Sequence, residues 1–353
     1  MDLKKIGLPL RYTLSQSLRV SQFLSQVIVS GLSFGRRPPE KIRKELPPLS
    51  NVLGDIKDLF ERDLKNIQAG IYKEPEEFGA GNLIDFAVKS TKTWIDLFRV
   101  ERRRTLKDVQ KFSKNIPMQE YPKYFAQTFH FQTDGYLSDS SANLYDHQVE
   151  LVFAGSAQAM RRQALVPIYH YLQNFRPAKE NAGENDFVHL IDIACGTGLF
   201  LKLIKENYPQ VRSTGLDLSP WYLKKARQNL QNFEHIDFIE ANAEQVPFKD
   251  EQFQIVTSIF MFHELPRRVR KKVIQEMVRI LAPNGLIIIE DSVQRDDKPG
   301  MNASLENFPH MYHEPYYLDY IEQDFKTLFK ECGLEIVSTD LVFFSKLWVL
   351  KKL

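Results

Sequence analysis

The sequence predicts an α/β protein, a doubly wound and mostly parallel sheet preceded by a long, mostly helical extension. Three observations predict it. From Val188 onward, short apolar runs alternate with helix-length segments, the pattern of crossover units that place helices on both faces of a parallel sheet. The first of these runs leads directly into a glycine turn, "HLIDIACGTGLFLKLI", His189 to Ile204. Before residue 175 strand signals are few, and one-faced helical patterns prevail.

Composition sets the frame. A chain of 353 residues corresponds to about two domains. Its hydrophobic fraction of 43% and charged fraction of 26% suit a globular protein with a sizeable core. With 47 basic and 45 acidic side chains the net charge is +2, too small a field to draw in a nucleic acid or an acidic membrane. The two cysteines, Cys195 and Cys332, form no disulfide framework and no metal-binding pattern, which fits a reducing, cytoplasmic compartment. The expected division is a helical extension and cap over residues 1–175 and a sheet domain over 176–353.

The first segment, "RYTLSQSLRVSQFLSQVIVSGLSFG" (Arg11 to Gly35), is moderately apolar but interrupted by Ser, Gln and Arg, so it cannot span a bilayer. It reads as an amphipathic helix with Leu18, Phe23, Leu24, Val27 and Ile28 on one side. Packing against the rest of the protein is the first reading. Contact of residues 11–35 with a membrane surface, making the protein peripheral to a membrane, is the second, and a transit sequence the third. "RRPPEKIRKELPPLS" (Arg36 to Ser50) is a proline-rich connector. A one-faced helix follows, with Ile56, Leu59, Phe60, Leu64 and Ile67 in register, and then another around "LIDFAVKSTKTWIDLFRVERRRTLKDVQKF".

Tyr121 to Phe153 is dense in aromatics and turn formers. It is expected to be a partly irregular lid leading into a helix, with His130, Asp134 and Tyr136 closing over a substrate. The polar stretch Asn174 to Phe187 marks the boundary. Beyond it, "VHLIDIA", "VRSTGLDL", "IDFIEA", "FQIVTSIFMF" and "GLIIIEDS" are expected to be parallel strands, and "LEIVSTDLVFFSKLWVL" supplies an antiparallel pair at one end.

Ligands of doubly wound folds sit at the carboxyl ends of the strands. Gly196 and Gly198 there let the backbone approach a ligand closely, since no Cβ intervenes. The third glycine of a dinucleotide fingerprint is missing, because its position falls on Leu201. Asp192 lies in the strand before the turn. Asp217 ends the next strand, about 20 residues after the glycines, where an acid can accept from both hydroxyls of a ribose. Ser219 and Pro220 then read as a helix cap and first helical residue. Where the third strand exits, Asn242 can accept from an exocyclic amine, and the backbone at Ala243 or Glu244 can donate to a ring nitrogen.

At these residues the chain resembles the class I S-adenosylmethionine-dependent methyltransferases, in "IDIACGTG", "GLDLSPWYLKKAR", "ANAEQVPFKDEQFQIV" and "RILAPNGLIIIED". Within the family it is similar to the small-molecule branch that includes menaquinone- and ubiquinone-type enzymes. The resemblance covers about Val188 to Leu353 and implies a Rossmann-like fold, S-adenosylmethionine as cofactor, and a small methyl acceptor. It implies Asp192, Ala194, Gly196, Gly198, Asp217, Leu218, Asn242, Ala243 and Phe260 as cofactor-binding residues. Many relatives have Asp where Asn242 stands, which puts that one contact in doubt.

On the acceptor side, His263 in "SIFMFHELP" follows the fourth strand. It reads either as an acceptor-orienting group or general base with an ordinary pKa, or as a structural cap. His310, Tyr312, His313 and Glu314 follow the fifth strand and are candidates to line the acceptor pocket, together with His130 and Tyr136. The pair of histidines beside Glu314 lacks convincing metal-ligand spacing, so no metal is expected. Cys195 reads as a buried filler, and "RRVRKK" (Arg267 to Lys272) as a solvated helix face over Val269, Val273 and Met277.

The "SIFMFHEL" stretch lacks the Asn/Asp-Pro-Pro-Tyr/Phe run of enzymes that methylate amino groups of bases or of glutamine. The near-neutral charge argues against a nucleic-acid partner. A C- or O-methyltransferase for a small, apolar or aromatic acceptor is therefore the first reading. A protein or nucleic-acid methyltransferase, and a cofactor-binding domain with a regulatory or structural role, are the alternatives.

Overall fold

The computed structural model describes residues 7–34, 38–75, 80–106, 109, 112–113, 116–175 and 187–353. The chain divides into two compact units, a helical one of Met1–Gln163 with Gly300–His313 and a sheet unit of Ala164–Pro299 with Glu314–Leu353. This division is finer than a single boundary near residue 175. The helix bearing the buried Leu165 and Ile168 goes with the sheet. Residues 300–313, which the sequence division places in the sheet domain, fold with the helices. Most of the Asn174 to Phe187 boundary stretch lies outside the described residues.

The sheet unit starts with α7 (Leu165–Asn174). Then β1 (His189–Ile193), α8 (Leu199–Asn207), β2 (Arg212–Asp217), α9 (Pro220–Asn229), β3 (Ile236–Glu240), β4 (Phe253–Ile259), α10 (Arg267–Ile280) and β5 (Leu281–Ser292) alternate strand with helix. After α11 (Asn302–Met311), which belongs to the helical unit, come α12 (Tyr317–Ile321), α13 (Phe325–Glu331), β6 (Leu334–Val342) and β7 (Ser345–Lys352). The strand order is β3-β2-β1-β4-β5-β7-β6. Strands β1 to β5 are parallel, and β7 runs antiparallel between β5 and β6, as the short link between the last two apolar runs predicts. Chain order reverses between β1 and β4, which creates a crevice at their carboxyl ends. Strands β1, β4 and β5 are buried almost without alternation, as strands covered on both faces are.

The helical unit contains α1 (Leu8–Phe34), α2 (Glu40–Glu45), α3 (Leu49–Gln68), α4 (Ala80–Leu106), α5 (Asp139–Val152) and α6 (Ala157–Gln163), together with α11. In α1 the expected apolar side does not exist as drawn. Phe23 is buried with Tyr12 and Gln16, whereas Leu18, Val27 and Ile28 are exposed. At about 100° per residue Phe23 shares a face with Tyr12 and Gln16, and Leu18 falls on the opposite face with Leu14. The inward face of α3 is as expected at Ile56, Leu59 and Ile67. Its centre, however, is Asp63, a buried acid that periodicity does not reveal.

Asp63 is the hub of that unit. Arg162 donates to it from Nε at 3.0 Å and from NH2 at 2.6 Å. Tyr12, Tyr72 and Gln163 also donate to its oxygens. Every charge in the cluster is matched inside the unit, the condition under which a buried ion pair is tolerated. Asp63→Ala leaves the Arg162 guanidinium buried and uncompensated. It is expected to destabilise the protein by about 3–5 kcal/mol, measured as a fall in the urea midpoint; a change under about 1 kcal/mol contradicts the hub role.

Candidate active site

The turn after β1 is held from two sides. Ala194, at φ 59°, and Gly196, at φ 56°, both take the left-handed conformation. The N–H of Gly196 donates to Asp217 Oδ2 at 2.8 Å, and Thr197 O accepts from Asn229 of α9 at 2.9 Å. The two glycines have different jobs. An added Cβ on Gly196 would meet only Tyr222, at 3.9 Å, so the space before it is open. One on Gly198 would strike Leu230 at 2.6 Å, so Gly198 serves helix packing.

Asp217 ends β2 and is buried. Its other oxygen accepts from Ser219 N at 2.8 Å, and Ser219 caps α9 as the sequence predicts. Burial pushes the Asp217 carboxyl up to about 6, against the pull of backbone N–H groups from Ser219, Gly196 and Leu218. Asp192 is buried in β1 and accepts from Thr257 of β4 at 2.7 Å. Asn242, just past β3, accepts from Glu244 N at 2.9 Å and so forms a tight turn. Part of the acceptor capacity assigned to it from sequence is thus used locally. Ala243 and Leu218 are half-buried beside these strand ends. Phe260, past β4, has φ 59° and donates its N–H to Glu290 O at 2.8 Å.

His263 sits in a one-turn helix, Phe262–Glu264, after β4. Its Nδ1 lies 2.6 Å from Asp291 Oδ1, at the end of β5. Asp291 is fully buried and also accepts from Phe262 N at 2.6 Å and Ser292 N at 2.7 Å. His263 Nε2 points toward Glu264, whose Oε1 is 3.8 Å away, beyond hydrogen-bond reach. The rings of Tyr317 and Tyr320 lie 6.0 and 6.2 Å from the imidazole. Burial lowers the His263 pKa, but Asp291, Glu264 and Glu314 outweigh it and raise it to about 9. The expectation of an ordinary imidazole is therefore corrected, because at neutral pH this ring is a cation. Glu314, buried beside it, is pushed well above the usual carboxylate range, first by burial and then by Glu264.

Arg270 was grouped by sequence with a solvated basic face. It is instead fully buried. Its Nε donates to Phe262 O at 2.9 Å, and its NH1 to Asp319 and Gln323, so it pins the turn that carries His263. Elsewhere on that face Arg267 pairs with Asp319, Lys271 with Glu331 and Lys272 with Glu244.

The remaining candidates belong to the helical unit. His130, at φ 54°, packs edge-on against Tyr312 at 5.5 Å, and its N–H donates to His313 O at 3.3 Å. His313 Nε2 is 2.9 Å from Gln127 Oε1, and burial lowers its pKa. His310 is exposed. Tyr136 stacks on Phe129 at 5.3 Å, and Asp134 accepts from Ser113 N and Oγ. Sequence reasoning missed Asp291, Arg270 and Thr257. The available signal for Asp291 was an acid at the close of the apolar run "LIIIED".

A family model described as "Methyltransferase domain" matches residues 190–285, the span from β1 into β5 that holds the glycine turn, Asp217 and His263. Residues 190–285 thus form a methyltransferase domain. The chain is 27% identical over 222 residues to a demethylmenaquinone methyltransferase of Lactiplantibacillus plantarum, covering 57% of this chain and 87% of that protein. It is 34% identical over 100 residues to the Thermotoga maritima demethylmenaquinone methyltransferase, covering 28% and 42%. It thus spans under half the length of the Thermotoga relative. A crystal structure of a methyltransferase from Aquifex aeolicus overlays with a TM-score of 0.38 at 16% identity, covering 47% of this chain and 82% of that one.

The methyltransferase's strand ends suit S-adenosylmethionine. The open space before Gly196 admits a ligand against bare backbone, and Asp217 presents a buried carboxylate at the close of β2. If Asp217 holds the ribose, cofactor affinity should fall as the pH drops through about 6, because only the ionised carboxylate accepts from both hydroxyls. Asp217→Ala should weaken binding by about tenfold or more at pH 7.5 and flatten that pH dependence. Isothermal titration from pH 5 to 8 reads both; a wild-type affinity independent of pH removes Asp217 from the site.

The raised His263 pKa also carries a stability prediction. A group bound more tightly to its proton in the folded state stabilises fully below its unfolded pKa of about 6.5. That contribution is lost as the pH rises to about 9. Thermal unfolding of the wild type should therefore weaken across this window, and His263→Gln should remove the dependence. Equal slopes in the two proteins contradict the protonated pair.

Proposed function

We propose that this methyltransferase transfers a methyl group to a small, largely apolar aromatic or enolic acceptor through a hydroxyl oxygen or the carbon conjugated to it. The observation that carries the reading is the His263–Asp291 pair at the strand ends beside two tyrosine rings. The relatives named as demethylmenaquinone methyltransferases support an acceptor of this class.

Bound S-adenosylmethionine supplies an electrophilic methyl group, displaced in line from sulfur. The protein's task is then positioning and exclusion of water. Asp291 holds Nδ1–H and so fixes the ring and its charge. The imidazolium Nε2–H is the group that would meet an acceptor oxygen. A cationic donor favours the ionised form of a phenol or enol, so the acceptor attacks as an oxyanion or enolate. The released proton has the Glu264 carboxylate nearby. In this role His263 is an electrostatic donor rather than the base that an ordinary pKa implies. His130, Tyr136, His310, Tyr312 and His313, the other acceptor-side candidates of the sequence, belong to the helical unit.

The experiment is mass spectrometry of phenols, naphthols and reduced quinones incubated with the purified chain and labelled S-adenosylmethionine. His263→Ala should lower turnover by roughly 10²-fold while leaving cofactor affinity within a few-fold. The wild-type kcat/KM should fall above pH 9, whereas a general base would make it rise there. Label appearing only in protein or RNA rejects the small-molecule reading.

A further inference from the structure

The outward face of α4 has a composition that nothing in the methyl-transfer reading uses. Four large apolar side chains stand in water on it, Val88, Ile95, Phe98 and Leu106, exposed by 46%, 57%, 64% and 64%. They recur so that all fall within one side of the helix at about 100° per residue. The exposed residues between and beside them are Thr91, Thr105 and the cations Lys92, Arg99 and Arg102. The two acids among the described side chains of α4 lie elsewhere. Asp96 is buried and accepts from Thr133 and Gln148, and Glu101 pairs with Arg104. The opposite face carries the packing, with Thr93, Asp96 and Val100 buried and Phe86 edge-on to Phe23 at 5.3 Å. From Val88 to Leu106 the stripe runs for about 27 Å.

We infer that the outer face of α4 lies on an anionic lipid surface, with Ile95, Phe98 and Leu106 entering the headgroup boundary and Lys92, Arg99 and Arg102 meeting the phosphates. An apolar stripe whose exposed charges are all cations is what such a surface selects. Other occupants match half of it. A nucleic acid would meet the cations and leave Ile95, Phe98 and Leu106 in water. A second copy docked about a two-fold axis would set this face against itself, cation against cation. The stripe on α1 is different. Leu10, Leu14, Leu18 and Ile28 are exposed there, but both arginines of that helix turn to acids, Arg11 to Glu74 and Arg19 to Glu150. That face has no charge to complement a headgroup, so the lipid contact that the sequence suggests for residues 11–35 is assigned to α4.

The test is independent of catalysis. The full chain is sedimented with sucrose-loaded vesicles of phosphatidylcholine alone or mixed with phosphatidylglycerol. The wild type should pellet with the anionic vesicles only, and less so as salt rises. The double variant Ile95→Glu/Leu106→Glu should reduce the bound fraction by about tenfold or more. Arg99→Glu and Arg102→Glu should each reduce it about fivefold or more. Leu14→Glu should leave it unchanged. All these positions are exposed, and thermal unfolding by circular dichroism should match the wild type. A wild type left in the supernatant overturns the inference, as does loss of binding in Leu14→Glu alone. Light scattering that shows a dimer dispersed by Ile95→Glu/Leu106→Glu assigns the face to a second copy and also overturns it.

Discussion

The Asp291 carboxylate, fully buried where β5 ends, accepts from Phe262 N, from His263 Nδ1 and from Ser292 N. One acid thus ties the end of β5 to the turn after β4 and sets both the place and the charge of the imidazole. Its environment leaves no cheap alternative. An unpaired buried carboxylate is far costlier than one that accepts three hydrogen bonds. Arg270 secures the same turn from the far side through Phe262 O. The turn is therefore clamped between a buried anion and a buried cation, and His263 is the residue that projects from it.

The two ends of the candidate site are tuned in opposite senses by the same low-dielectric interior. At β2 burial raises Asp217 while three backbone N–H groups hold it back. At β4 and β5 the carboxylates around His263 overcome burial and keep a proton on the ring. The first result is an acceptor that works once ionised, as a ribose requires. The second is a donor that stays charged through neutral pH, as a developing oxyanion requires.

Much of the sheet unit was legible because each signal is local. Apolar runs without alternation mark strands covered on both faces, and Ser219 with Pro220 marks the start of α9 by cap chemistry alone. The glycine turn after β1 and Asp217 at the end of β2 stand side by side, joined by the Gly196 N–H. What escaped is what depends on residues far apart in sequence. Asp291 meets His263 across 28 positions, and Arg270 looks like any other member of "RRVRKK" until Asp319 and Gln323 close around it. The helical unit was read less well for the same reason. Its α1 face depends on which neighbours cover Phe23 rather than Leu18, and residues 300–313 join the helices only through contacts remote in the chain.

The buried acids of the two units separate structure from function more sharply than burial alone. Asp63 is surrounded by donors supplied within its own unit, Arg162, Tyr12, Tyr72 and Gln163, and Gln163 also donates to Ala159 O of that unit. Asp291 is equally buried, but one of its partners is a ring with a second nitrogen. His263 Nε2 carries the consequence of that buried charge outward, to a position 3.8 Å from the nearest oxygen of Glu264. A buried carboxylate whose partner is bifunctional transmits its field to the next atom that arrives. One whose partners end on it only holds the fold. By that physical criterion the proposed acceptor-side role goes to His263 in the turn after β4, and the arginine–aspartate pair of the helices is read as scaffold.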